Sequence, residues 1–88
     1  MNGIAKLAEN FVETDIDEEI VIMRLDNGEL LSLADTAAAA WRLIDGQRDR
    51  ADLVAALEVE FAADTQEIAV DVGQLLQQMK DADLIAER

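Results

Sequence analysis

The side chains that can do chemistry in this sequence are carboxylates, two lysines and a few hydroxyls. Twenty of the 88 residues are Asp or Glu, while His and Cys are absent. Nucleophilic catalysis of the usual kind is therefore excluded, since it needs an imidazole to activate a serine or cysteine. Carboxylates alone can act as a general acid and base, but no pair, including Asp26 and Glu29, has a spacing that supports this role. The sequence predicts a protein that is not an enzyme.

The same absences exclude several kinds of bound group. An ordinary structural zinc site takes its ligands from Cys and His. Disulfides and iron–sulfur clusters require Cys, which this chain lacks. We therefore expect no cofactor and no metal site.

The net charge of −13 at pH 7 argues against polyanionic partners. Nucleic acid is bound by Lys and Arg that displace counterions, and an anionic membrane surface likewise attracts basic segments. No run of about 18 apolar residues is present, as a transmembrane helix requires. The first residues, MNGIAKLAENF, lack the pattern of a secretory signal. We expect a cytoplasmic protein that binds neither nucleic acid nor membrane.

Three predicted strands position the side chains of the first half. Phe11–Thr14 indicates a short strand. Glu19–Leu25 is the strongest strand because it is apolar and rich in β-branched residues, and Arg24 is expected to mark its solvent-facing side. Asn27-Gly28 favours a tight primed turn. Glu29–Leu33 then returns as the third strand of an antiparallel meander.

After the third strand, the spacing of apolar residues becomes that of a helix. Asp35 and Thr36 are typical cap residues, because a side-chain oxygen can accept from the free N–H groups of the first turn. A first helix is therefore expected from Thr36 to Asp45. We expect Trp41 to anchor it in the core and Gly46 to end it.

Two amphipathic helices follow the first. Asp49 can cap a helix over Arg50–Phe61, and Asp64 with Glu67 fits a capping box for a third helix over Thr65–Ala82. A run of strands followed by a run of helices predicts an α+β domain.

The two ends of the chain carry weaker signals. Residues 1–10 show no strand pattern, and we expect a flexible segment there. Leu84 and Ile85 are apolar and are expected to fold back onto the core. Glu87 and Arg88 are expected to fray.

The order of these elements and the residues between them resemble the PqqD-like family. In that family a Leu ends the third strand, and a cap, Thr-Ala, Trp and Leu-Leu/Ile-Asp-Gly follow. A second segment has Asp-Val, paired apolar residues and a late Leu that usually follows Gly, where this chain has Asp83. The matching residues here are Leu33, Thr36-Ala37, Trp41, Leu43-Ile44-Asp45-Gly46, Asp71-Val72, Leu75-Leu76, Met79 and Leu84-Ile85.

The PqqD-like family includes pyrroloquinoline quinone biosynthesis protein D and the recognition elements that bind leader peptides of ribosomally synthesised, modified peptides. The resemblance implies one winged-helix-like domain over residues 11–86, with no catalytic role. It implies that a leader peptide adds as a strand to the third strand and is delivered to a separate maturation enzyme, such as the leader peptidase of lasso-peptide biosynthesis. We expect a monomer or a weak dimer, because an open strand edge can also pair with a second copy.

The groove that the resemblance implies lies between the third strand and the third helix. The third strand contains no Pro or Lys that would block pairing. On the helix, the flank of the apolar stripe formed by Asp71, Leu75, Gln78 and Ala82 is our candidate wall. The opposite flank, Ala69, Gly73 and Leu76, stays open as an alternative. The predicted peptide-binding residues are Glu29, Leu30, Leu31, Ser32 and Leu33 on the strand, and Asp71, Leu75 and Gln78 on the helix.

A winged-helix regulator that binds DNA is the alternative function. Three helices and a small sheet also fit that class. Its recognition helix needs basic residues, and the predicted third helix offers only Lys80.

Overall fold

The computed structural model describes residues 3–87 of the chain. The elements are β1 (Ile4–Lys6), β2 (Phe11–Ile16), β3 (Glu19–Arg24), β4 (Leu30–Leu33), α1 (Asp35–Leu43), α2 (Arg50–Phe61), α3 (Thr65–Asp81) and β5 (Ile85–Glu87). The sheet β2-β3-β4 is antiparallel, and β1 pairs with β5 in a second, two-stranded sheet. The prediction of an α+β fold with a three-stranded antiparallel sheet followed by three helices is confirmed, and β4 is the strand predicted as the third.

The inner face of the three-stranded sheet packs on the helices through alternate residues of β3. Ile20 and Ile22 are buried, whereas Met23 is exposed on the outer face. The prediction that Arg24 marks the solvent-facing side was wrong, because its position places it on the inner face with Ile20 and Ile22. Both faces of this strand are apolar, so one charged residue at its end could not identify the outer one. The guanidinium reaches the rim, where Asp26 binds it.

The loop between β3 and β4 is wider than the predicted primed turn. Gly28 has a φ of +73°, but Asn27 is not among the described residues with positive φ. The Gly28 N–H donates to the Arg24 carbonyl, and the Glu29 N–H donates to the Asn27 side-chain carbonyl, both at 2.9 Å. The prediction of a tight turn was wrong, because the Asn27 side chain takes a bond that the backbone would otherwise form.

Trp41 anchors α1 in the core. Its side chain is fully buried, and its Nε1–H donates to the Glu13 carboxylate at 3.1 Å. The ring packs edge-on against Phe11, with 5.3 Å between the ring centroids. This contact joins the first helix to the inner face of β2.

Both ends of α1 differ from the prediction. Ala34 is the N-cap residue and supplies no side-chain bond, so neither Asp35 nor Thr36 caps the helix. Asp35 already belongs to the first turn, with a φ of +52°. The helix ends at Leu43, two residues before the predicted Asp45. The direction of the chain at the end of β4 determines where the helix begins. The types of the cap residues do not predict that direction.

Side-chain caps begin α2 and α3 as predicted. The Asp49 carboxylate accepts from the Asp52 N–H, and the Asp52 carboxylate accepts from the Asp49 N–H. Asp64 accepts from the N–H groups of Gln66 and Glu67. For α3, only this half of the predicted capping box forms among the described residues.

The segment that we expected to be flexible contains a strand. Ile4–Lys6 pairs with Ile85–Glu87, and Ile4 is fully buried. The Ile4 N–H donates to the Arg48 carbonyl at 2.9 Å, and the Gly46 N–H donates to the Ile4 carbonyl at 2.7 Å. Gly46 has the predicted left-handed conformation, with a φ of +86°, but it serves this contact rather than the end of a helix. Three residues are too few to show the alternation of a strand.

Glu87 is held in place, although it was expected to fray. Its carboxylate accepts from Arg50 at 2.7 and 3.0 Å and from Lys80 at 3.3 Å. The prediction that Leu84 and Ile85 fold back onto the core is confirmed, since both are buried. The remaining predictions for the chain ends concern Met1, Asn2 and Arg88, which lie outside the described residues.

The third helix provides the largest share of the core. Its buried residues repeat every three or four positions, so one face of α3 contacts α1, α2 and β5. Within residues 3–87, no helix is long and apolar enough to cross a membrane. The buried residues of α3 are Ile68, Val72, Leu75, Leu76 and Met79.

Candidate functional site

The sheet has two edge strands, β2 and β4, and β4 is the one that lies beside α3. The strand order is β2-β3-β4, and within the described part of the chain no strand pairs with the other side of β4. The Arg24 N–H donates to the Glu29 carbonyl at 2.9 Å, which fixes the alternation of the ladder. The backbone groups of Leu31 therefore bond to β3, and those of Leu30 and Ser32 point to the open side.

The side chains of β4 divide between the two faces of the sheet. Leu33 is buried, and Leu31 is partly buried and packs against the core from the inner face. Leu30 and Ser32 are exposed on the outer face. The predicted strand residues thus have separate tasks: Leu30 and Ser32 offer backbone groups at the edge, whereas Leu31 and Leu33 offer apolar side chains.

An open groove of about 480 Å³ separates β4 from α3. Its strand wall presents one apolar side chain, Leu31, and two charged ones, Arg24 and Glu29, and three glutamine amides lie on its helix wall. No Pro, Lys or bulge on β4 covers the edge beside it. The lining residues are Arg24, Glu29, Leu31, Gln74, Gln77, Gln78, Asp81 and Ala82.

The structure brings three of the predicted residues together in the groove lining, namely Glu29, Leu31 and Gln78. Leu75 is buried beneath the wall, with 3% of its surface exposed. Asp71 is exposed, lies nearer the start of α3 and is not part of the lining.

The two flanks of α3 line different grooves, and only one flank faces β4. Ala69 and Gly73 line a different groove, between α2 and α3. Gln78 and Ala82 face β4. The wall opposite β4 is therefore the flank that we selected as the candidate.

Ala82 lies on the helix flank that we selected as the candidate wall, and the other four lining residues were not predicted. Gln74, Gln77 and Asp81 lie one turn or less from Gln78, so helical spacing was a signal that could have found them. Arg24 was missed because we expected it on the other face of the sheet. Because Arg24 is far from α3 in the sequence, no local sequence pattern indicates that the two are neighbours in the fold.

Arg24 is already occupied by carboxylates at one end of the groove. Asp26 accepts from its Nε at 3.1 Å and from its Nη2 at 2.8 Å, and Glu29 lies 3.5 Å from its Nη1. The hydrogen bonds from Arg24 hold the pKa of Asp26 below its ordinary value, and the same bonds raise the pKa of Arg24. Asp81, on the opposite wall, accepts from the Gln77 amide at 2.9 Å.

The described residues contain no group of three Asp, Glu, His or Cys side chains that could hold a metal ion. The groove instead presents hydrogen-bonding amides, leucine side chains and an open backbone edge. This arrangement suits an extended peptide, because a peptide can satisfy the edge and fill the groove with alternate side chains.

A comparison with protein families tests the resemblance. The family model described as Coenzyme PQQ synthesis protein D (PqqD) matches residues 19–85, most of the chain. The chain belongs to the PqqD family. The matched range begins at β3 and includes both β4 and α3, so both walls of the groove are part of the PqqD match. The resemblance stated from the sequence is confirmed.

A solved structure has the same fold as this PqqD-family chain. It is described as TbiB1 in complex with the TbiA(beta) leader peptide, with a TM-score of 0.79 and 22% sequence identity. The match covers 91% of this chain and 93% of the other. No curated protein matches the sequence.

Proposed function

We propose that this PqqD-family chain is a non-catalytic recognition protein for the leader region of a ribosomally synthesised precursor peptide. The leader binds as an added strand along the open edge of β4, with α3 as the opposite wall. The chain then delivers the precursor to a separate maturation enzyme, such as a leader peptidase. The observation that carries the proposal is an unpaired strand edge beside an open groove.

The backbone of β4 supports strand addition. Leu30 and Ser32 each direct one N–H and one C=O to the open side, so an added strand gains up to four backbone hydrogen bonds from these two residues. Each such bond contributes about 0.5–1.5 kcal/mol net. Backbone bonds of this kind give affinity that does not depend on the peptide sequence.

The side chains of the groove supply the selectivity. An added strand directs alternate side chains inward, where they meet Leu31 and the α3 wall. Leu33, at the end of the strand, is buried in the core beside them. Apolar residues at alternate positions of the leader fit this environment. Each buried apolar side chain contributes about 1.5–3 kcal/mol.

The solved structure with the same fold contains a leader peptide, according to its description. This supports a peptide as the occupant here. The DNA-binding alternative has no comparable support, since the groove side of α3 presents Gln74, Gln77, Gln78 and Asp81 rather than basic residues.

Replacing Ser32 with proline tests strand addition. The Ser32 N–H points away from β3, so Ser32→Pro removes a donor for the leader and places a ring at the edge without removing a backbone bond between β3 and β4. The 3.5 Å contact from the Ser32 hydroxyl to Glu19 is lost as well, and it is lost equally in Ser32→Ala. We expect affinity for the leader encoded beside this chain's gene to fall about tenfold or more, which equals the loss of one or two backbone bonds. Fluorescence polarisation with the labelled leader measures this change.

Ser32→Ala is the matched control, because it keeps the N–H and should leave affinity within about twofold. Chemical-shift changes in the ¹⁵N-labelled chain should map to Glu29–Leu33 and to the groove side of α3. Shifts confined to other surfaces would contradict the proposed groove. Delivery is tested separately, by whether the chain accelerates cleavage of a full precursor by a leader peptidase.

A further inference from the structure

The register of the sheet gives each inward position of an added strand a defined neighbour. Leu31 and Leu33 form their backbone bonds with β3. The Glu29 carbonyl accepts from the Arg24 N–H of β3, while the Glu29 N–H donates to the Asn27 side chain. An antiparallel strand on the open side therefore faces these three residues in non-hydrogen-bonded pairs. Side chains approach most closely in such pairs, with Cβ atoms about 4.5–5.5 Å apart. One inward peptide residue consequently meets a carboxylate, and two meet leucines.

The carboxylate at this position has no strong partner within the described residues. The Glu29 side chain is 55% exposed, and its contact with Arg24 is 3.5 Å long. Asp26 holds the same guanidinium in two shorter hydrogen bonds. Across the groove, Asp81 lines the same cavity as Glu29. This end of the groove therefore has two carboxylates available to a ligand and one cation that is already neutralised.

We propose that Glu29, with Asp81 across the groove, selects a leader that has lysine or arginine directly opposite Glu29. Apolar residues two and four positions away along the leader face Leu31 and Leu33. The inference rests on the proposed function and adds a charge requirement to it. A basic side chain lays its apolar stem along the groove and brings its charge to the carboxylates, whereas an acidic residue at that position faces a like charge.

The probe is a displayed library of random linear peptides, selected against the full chain. We expect enriched peptides to share one basic position, with apolar residues two and four positions to the same side of it. Changing that basic residue to Glu should weaken binding about fivefold or more, as for the loss of one cross-strand ion pair. Sensitivity to Ser32→Pro identifies the peptides that bind at the edge.

Variants of the chain distinguish a charge preference caused by Glu29 from the general attraction of cations to an acidic protein. Glu29→Lys should reverse the charge preference of edge-binding peptides, and Glu29→Gln should remove it. Glu18→Lys makes the same charge change on an exposed turn at the other end of β3. It should leave the preference intact, and it controls for attraction of any cation to a chain of net charge −13.

The outcomes distinguish this inference from the proposed function. Edge-binding peptides without a basic preference, or a preference that Glu29→Lys does not change, would overturn the role of Glu29 and leave strand addition standing. If no enriched peptide is sensitive to Ser32→Pro, both the inference and the edge as a peptide site are overturned. Folding of each variant is verified by its thermal unfolding.

Discussion

Leu30 and Leu31 are neighbours in the chain and lie on opposite faces of the sheet. Leu30 is 64% exposed on the outer face, beside Met23 of the adjacent strand. Leu31 lines the groove and packs against the core. The same residue type should therefore contribute to peptide binding at one position and not at the next, because alternate side chains of a strand face different surroundings.

Truncating these two leucines compares the faces directly. Leu31→Ala should weaken leader binding about tenfold, since it removes roughly half of the apolar contact that one buried leucine provides. Isothermal titration calorimetry with the leader encoded beside this chain's gene measures the effect. Leu30→Ala keeps the backbone edge and should change affinity less than about twofold. An equal loss in both variants would mean that the peptide does not use the inner face.

Single residues of the groove differ in how far their positions could be predicted. Gln78 follows from the period of α3, because the apolar stripe defines its flank. Asp71 shares that flank but lies outside the lining, since the groove extends over only the last turns of the helix. Arg24 could not be placed, because the burial of an apolar strand on one face rather than the other is decided by the helices that cover it.

At the scale of elements, α3 contains a glycine that its own packing does not require. Gly73 lies in the interior of the 17-residue helix. A Cβ at this position would have Arg50 Nη1 at 3.9 Å as its nearest neighbour, an ordinary contact distance. Glycine costs about 0.8–1 kcal/mol relative to alanine inside a helix. The residue therefore weakens α3 without relieving a clash in this chain.

Gly73→Ala should stabilise the chain by about 0.5–1 kcal/mol, because it limits the unfolded backbone and adds no close contact. Urea unfolding followed by circular dichroism measures the change. Gly3→Ala is the opposing control: its Cβ would overlap the Gly46 carbonyl, and we expect a loss of stability. Leader affinity should be unchanged in Gly73→Ala, since this residue faces α2. A destabilised Gly73→Ala variant would contradict the open space at this site.

The elements that sequence predicted best are those defined by local bonds. Asp49 and Asp64 accept from N–H groups two or three residues away, so residue type and spacing were sufficient to predict both caps. β1 could not be predicted, because its partner β5 lies at the other end of the chain. The predicted start of α1 was wrong for a related reason. Contacts of the whole fold determine where this helix begins, and its own cap residues do not.

At the scale of the whole molecule, Glu87 connects elements that are distant in the sequence. It belongs to β5, which pairs with β1. Its carboxylate binds Arg50 at the start of α2 and Lys80 near the end of α3. The C-terminal strand is thereby tied to two helices and to the N-terminal strand, and the ends of the chain close the core from one side.

This connection predicts how the molecule responds to acid. The hydrogen bonds from Arg50 are the main reason that the pKa of Glu87 lies below its ordinary value of 4.5; burial opposes this effect, and the hydrogen bond from Lys80 adds to it. The unfolded chain therefore binds a proton at this site before the folded chain does. The stability from this site is fully present above pH 4.5, and it falls as the pH drops through the folded pKa. Because the pair is near the surface, its contribution should be below about 1 kcal/mol.

Comparison of the wild-type chain with Glu87→Gln, by urea unfolding at a series of pH values, measures that contribution. The free energy of unfolding should be higher for the wild type at neutral pH. The difference should shrink below pH 4.5 and vanish once the carboxyl is protonated in both states. Glu60→Gln changes an exposed residue of α2 that forms no ion pair among the described residues, and its difference from the wild type should stay small throughout. If Glu87→Gln lost the same stability at every pH, the glutamate would be acting through packing, and its ion pairs would not hold the C-terminal strand.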